Sequence, residues 1–143
     1  MTLATAESIT GGLIGHVLTE TAGSSRVYLG GVVSYDNQLK ERIGVPTQTL
    51  AEFGGVSEQT ALAMANGIRE WAGADVGVAV TGIAGPGGAT EKKPVGLTYV
   101  AVADPRGGSC QRHIWTADRS ANKASTAEAA LRLVLNWLGE KQA

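Results

Sequence analysis

TLATAESITGGLIGHVLTETAGSSRVYLGGVVSY, residues 2–35, reads as one β-α-β crossover. Thr2 to Glu7 is a short candidate strand. From Ile9 the apolar residues Ile9, Leu13 and Val17 recur every fourth position, which predicts a helix running to about Thr21. Ala22-Gly23-Ser24-Ser25 is a loop. Val27 to Tyr35 is rich in β-branched and aromatic residues and predicts a second strand. Two strands joined by a helical crossover lie parallel in one sheet.

The rest of the chain extends this unit. Asp36 is placed to cap a short helix carrying Lys40. Pro46 and Thr47 start another helical turn. Ser57, followed by Glu58 in the first turn, predicts a capped helix through Trp71. Val76 to Thr81 is a nearly continuous apolar run, the pattern of a strand buried on both faces. Gly82 to Pro94 is a long glycine-rich loop. Val95 to Ala103 and Ser109 to Thr116 form a hairpin around the turn Asp104–Gly108. A last helix, Ala121 to Leu138, places Ala127, Leu131, Val134, Leu135 and Leu138 on one face. The order β-α-β-α-α-β-β-β-α predicts an α/β fold: a mixed parallel and antiparallel sheet covered by helices in a three-layer sandwich. No repeat or linker interrupts it, so residues 1–143 read as one domain.

Composition narrows the function. Apolar residues make up 43% of the 143, and 12 basic residues balance 13 acidic ones. That is a globular chain without the basic footprint of a nucleic-acid binder. No apolar run spans a bilayer, and the first residues lack a signal peptide, so a cytoplasmic location without membrane contact is expected. Cys110 is the single cysteine, which excludes an internal disulfide. Three tryptophans, Trp71, Trp115 and Trp137, read as core or edge residues.

Three segments can carry chemistry. Ala6-Glu7-Ser8-Ile9-Thr10-Gly11-Gly12 lies where a strand gives way to a helix, so its unpaired amides can hold an anion. Ser8 there is either a nucleophile or a helix cap. Gly30 to Lys40 brings Tyr35 and Lys40 to one sheet edge, where a buried lysine could serve as general base. The plainer reading is a solvated lysine beside a core-edge tyrosine. Thr81 to Gly96 is a loop that either places amides on a phosphate or only connects two strands. It matches neither the P-loop nor the dinucleotide fingerprint. His16 and His113 lie far from any nucleophile in sequence, which argues against a Ser-His-Asp triad. Two isolated histidines and one distant cysteine also argue against a zinc site. A serine–lysine pair is then the economical hydrolytic arrangement.

Taken in order, Ala6–Gly12, Ala22–Ser25, Gly31–Lys40, Gly55–Glu58 and Thr81–Gly88 with Lys93–Gly96 resemble the CinA C-terminal domain family, the nicotinamide mononucleotide deamidases. The resemblance covers essentially the whole chain. It implies an α/β sandwich that hydrolyses the carboxamide of a pyridine nucleotide, with no cofactor and no metal. It implies Ser8, Tyr35 and Lys40 as catalytic residues. It implies substrate contacts from Glu7, Thr10, Gly11 and Gly12 at the first turn, from Thr81, Gly82, Ala84, Gly85 and Gly87 in the loop, and from Arg119 and Lys123 in the last helix. Backbone amides near Ile9 or Gly82 are expected to hold the oxyanion. Ile9 stands where many members carry cysteine, and Lys123 where an arginine is expected. Members usually carry a helix before the first strand, and this sequence begins at the strand. An uncovered apolar face beside that strand, and a homodimer or larger assembly that buries it, are therefore expected. A nucleotide-binding or regulatory module without turnover is the competing reading.

Overall fold

The computed structural model describes residues 1–142. Its five strands are β1 (Leu3–Glu7), β2 (Tyr28–Val33), β3 (Val76–Gly82), β4 (Leu97–Asp104) and β5 (Gly107–Ile114). Its helices are α1 (Leu13–Thr19), α2 (Asn37–Arg42), α3 (Thr47–Phe53), α4 (Glu58–Ala72) and α5 (Arg119–Gln142), with a single 3-10 turn at Ser24–Arg26. The sheet order is β2-β1-β3-β4-β5. The strands β2, β1 and β3 run parallel, while β4 and β5 continue the sheet antiparallel. This is the expected mixed sheet, with the expected element order.

The two faces of the sheet differ in side-chain size, and that difference sets how the helices lie. On β3, Val76, Val78 and Val80 alternate with Gly77, Ala79 and Thr81. Successive residues point to opposite faces, so one face is lined by valine and the other by small residues. The valine face, continued by Val100 and Val102, packs on Ile14 of α1 and on Ala127, Ala130, Leu133 and Val134 of α5. The small face, with Ala4, Ala6, Ala79, Ala101 and Ala103, packs on Ala61, Met64, Ala65 and Ile68 of α4. There α4 comes so close that a Cβ built on Gly77 would lie 1.9 Å from the Ala65 carbonyl oxygen. Three layers result, with the sheet in the middle.

Local chemistry sets the helix ends. The Asp36 carboxylate accepts from Gln38 N–H at 2.8 Å and starts α2. The Ser57 hydroxyl accepts from Thr60 N–H at 3.1 Å and starts α4. Both caps are those read from sequence. The first helix differs from expectation. It begins at Leu13 and not near Ile9, because Gly11 and Gly12 take left-handed backbone angles, φ 63° and 106°, that break a helix. Residues 8–12 therefore form a turn. Ile14 is the fully buried apolar residue of α1, while Val17 is 40% exposed. On α5, Leu135 is 68% exposed and Leu133 takes its expected place in the core. Trp71 is 67% exposed on α4, contrary to its reading as a core or edge residue.

The first strand is itself covered on both faces. The strand β1 lies inside the sheet between β2 and β3. Its side chains pack against α4 on one face and α1 on the other. The apolar side chains exposed beside it are those of the edge strand β2, which pairs with β1: Val27 just before the strand and Leu29 and Val33 within it are each about half exposed. Among the described residues, no helix is long and apolar enough to cross a membrane.

Candidate active site

Ser8 follows the last residue of β1, and its position is set by the backbone. Its N–H donates to the Val80 carbonyl at 3.1 Å, which holds the turn on the end of β3. One strand over, β2 ends and the capped helix α2 begins. Lys40 sits one turn into α2. The Lys40 ammonium donates to the Tyr35 carbonyl at 2.8 Å and to Ser8 Oγ at 3.2 Å. Ser8 and Lys40 are both buried. Burial drives the lysine down from its ordinary 10.5 to about 8, while the nearby Asp36 carboxylate opposes the shift.

These residues form the floor of a cleft of about 460 Å³, within the range of small-molecule sites. Tyr35, Asn37, Gly55, Val56 and residues 81–88 line it. Arg119 completes the wall, its guanidinium donating to the Gly85 carbonyl at 2.9 Å. Behind it, buried Asn122 donates to the Ala84 carbonyl at 3.0 Å and fixes the loop to α5. On the far side, Lys93 Nζ donates to the Phe53 carbonyl at 2.7 Å and ties the end of the loop to α3. Among the described residues the lining contains two cationic side chains, Lys40 and Arg119, and no carboxylate. Such a cleft favours an anionic ligand.

Nine of the residues singled out from sequence line this one cleft: Ser8, Tyr35, Lys40, Thr81, Gly82, Ala84, Gly85, Gly87 and Arg119. Their placement differs in detail. Tyr35 holds Lys40 through its main-chain oxygen, while its side chain is 62% exposed at the rim. The buried Thr81 hydroxyl donates to the Gly55 carbonyl and ties the end of β3 to the segment before α4.

The other five do not join the cleft. Thr10, Gly11, Gly12 and Lys123 line a separate hollow with His16 and Ser120, between α1 and α5. Glu7 points away from both. Its buried carboxylate accepts from Thr10 Oγ1 at 2.6 Å, Ile14 N–H at 2.7 Å and Gly15 N–H at 3.0 Å. Two of the amides that open α1, those of Ile14 and Gly15, are thus held by this internal anion and not by a ligand. Glu7 is therefore a built-in cap for α1 that braces the turn carrying Ser8. Glu7→Gln places an amide donor against these donors and is expected to cost about 2 kcal/mol. A urea midpoint lowered at unchanged slope would show it; an unchanged midpoint would refute the bracing role.

Neither histidine lines the cleft. His16 is exposed on α1, 3.6 Å from Glu20, and His113 stacks on Trp115 with ring centroids 4.7 Å apart. Burial, with the Glu58 charge adding to it, pushes the Cys110 thiol up to about 12, so it carries no thiolate at neutral pH. Sequence reasoning gave no role to Asn37, Gly55, Val56 or Asn122. Asn37 lies inside the Gly31–Lys40 segment, but nothing local in the sequence marks it as facing the cleft.

Comparison with known proteins bears on the family and the fold. The family model of the CinA C-terminal domain matches residues 1–138. A CinA-like protein of Geobacter sulfurreducens is 50% identical over 139 residues, 96% of this chain and 33% of the relative. A CinA-like protein of Salinibacter ruber is 51% identical over 131 residues, 91% of this chain and 32% of the relative. The chain thus spans about one third of the length of the curated relatives it matches. Among solved structures, the competence/damage inducible protein CihA from Agrobacterium tumefaciens superposes with a TM-score of 0.92 at 43% identity, covering 95% of this chain and 84% of that one. The competence damage-inducible protein A from Klebsiella pneumoniae gives 0.92 at 32% identity, covering 96% and 86%. With the family model matched over residues 1–138 and the fold shared at these identities, the chain belongs to the CinA C-terminal domain family.

Proposed function

We propose that this domain is an amidohydrolase that removes the amide nitrogen of nicotinamide mononucleotide, with Ser8 as nucleophile and Lys40 as base. The observation that carries the reading is the buried Lys40–Ser8 contact of 3.2 Å at the floor of a cleft without carboxylates. In its neutral form Lys40 accepts the Ser8 proton as Oγ bonds to the carboxamide carbon. The carbonyl π pair moves onto oxygen. When the tetrahedral adduct collapses, the C–N bond breaks and the Lys40 proton passes to the leaving nitrogen, giving ammonia. Water then adds to the resulting ester, again giving its proton to Lys40, and the acid is released as Ser8 regains a proton. Arg119 is suited to the substrate phosphate, since a guanidinium recognises phosphate oxygens in pairs.

The test is ammonia release from nicotinamide mononucleotide by the purified protein, with the acid product measured in parallel. Equal amounts of both are expected. Nucleotide binding without ammonia would replace this reading by that of a regulatory module.

A further inference from the structure

The reaction at Ser8 develops negative charge on the carboxamide oxygen, and the cleft must meet it with donors. Two backbone amides near Ser8 are already committed. The Ser8 N–H donates to the Val80 carbonyl at 3.1 Å, and the Ile83 N–H to the Leu97 carbonyl at 2.9 Å. The Ile9 N–H, the next after the nucleophile, has no protein acceptor among the described residues. The remaining wall holds one side-chain amide, that of Asn37.

Asn37 is the first residue of α2 and lies three positions before Lys40. Residues at that spacing share a helix face, so Asn37 stands on the side from which Lys40 reaches Ser8. Its amide is seated against Gly55. A Cβ built on Gly55 would lie 2.7 Å from Asn37 Oδ1 but 3.7 Å from Nδ2, so the oxygen faces the wall and the nitrogen is turned from it. The wall itself is held, because the Gly55 carbonyl accepts from the Thr81 hydroxyl. Neither polar atom of the Asn37 side chain has a protein hydrogen-bond partner among the described residues. A side-chain amide that lines the cleft on the helix face of Lys40, with its nitrogen free of protein acceptors, has the features of an oxyanion donor.

We propose that Asn37 Nδ2 donates to the developing oxyanion during the Ser8 reaction, beside the Ile9 N–H, and that Gly55 is glycine to leave room for it. This rests on the amidohydrolase reading above. A ground-state binding role would appear in KM, whereas a donor tightened only in the transition state appears in kcat.

The experiment compares wild type, Asn37→Ala, Asn37→Asp and Gly55→Ala by steady-state ammonia release. It also measures the rate at which a fluorophosphonate labels Ser8. In that labelling Ser8 Oγ bonds to phosphorus, fluoride leaves and Lys40 takes the serine proton, with the phosphonyl oxygen facing the same donors. Asn37→Ala should lower kcat about 10²-fold, with KM changed less than about threefold, and slow labelling about tenfold. Asn37→Asp should be at least as poor, since a carboxylate only accepts. Gly55 does not use a left-handed backbone, so alanine fits there and displaces only the end of the Asn37 side chain. The same kcat loss is therefore expected from Gly55→Ala, with cooperative unfolding retained. Wild-type kcat in Asn37→Ala, or a loss confined to KM, would overturn the donor role while leaving the amidohydrolase reading intact. Labelling of the wild type without ammonia would remove the proposed substrate, and the labelling rates would still decide the role of Asn37. A wild type that does neither would overturn both.

Discussion

Ser8→Ala is expected to lower ammonia release by about 10⁴-fold or more, because loss of a nucleophile in a coupled hydrolytic site removes the covalent route altogether. The expectation rests on the absence of a substitute. The cleft contains no histidine and no carboxylate that could activate water in place of the serine. The fold should survive. Ser8 Oγ has Lys40 as its partner, Lys40 keeps the Tyr35 carbonyl, and the turn is held by Ser8 N–H on Val80. Initial rates and a thermal melt on the same preparation test both halves. A folded Ser8→Ala variant that still turns over at a rate near wild type would show that water, not serine, attacks the amide.

Lys40 carries the second large effect, and it has a pH signature. With its ammonium held down to about 8 by burial, about one tenth of the molecules carry the neutral base at pH 7. The rate should climb tenfold per pH unit below that value and level off above it. Lys40→Arg should lose about 10³-fold at every pH, since guanidinium does not deprotonate in this range. The same shift acts on stability. Between about 8 and 10.5 the unfolded chain holds the Lys40 proton and the folded chain does not. Stability contributed by this group therefore rises with pH across that window, and below it the folded protein bears the cost of a buried ammonium. Lys40→Met should melt a few degrees higher at pH 7 and lose this part of the pH dependence. A wild-type profile flat from pH 6 to 9, or an active Lys40→Arg protein, would remove Lys40 from the base role.

Much of the fold was legible because it is specified by neighbours in sequence. Asp36 and Ser57 are caps wherever the chain goes next, since each bonds an amide two or three residues away. The crossover from β1 to β2 and the hairpin of β4 and β5 follow from the length and composition of what joins them. The same locality explains the misreadings. Spacing counts Val17 and Leu135 as core, but whether an apolar position meets a partner depends on how α1 and α5 roll on the sheet. The start of α1 was misplaced because apolar spacing outweighed two adjacent glycines whose left-handed angles stop a helix.

By itself the sequence determined the α/β class, the order of elements, most helix boundaries and the short set of residues from which a site could be built. Only the tertiary structure decided the strand order, and with it the meeting of Ser8 and Lys40 across 32 positions of chain. It also decided that Glu7 serves the helix and not a ligand, that Lys123 lies in a different hollow from Arg119, and that Asn37 rests on Gly55. The physical reason is the same in each case. A cap or a turn is fixed by bonds within a few residues, whereas a site is fixed by which strand ends are neighbours and by what the packing leaves room for.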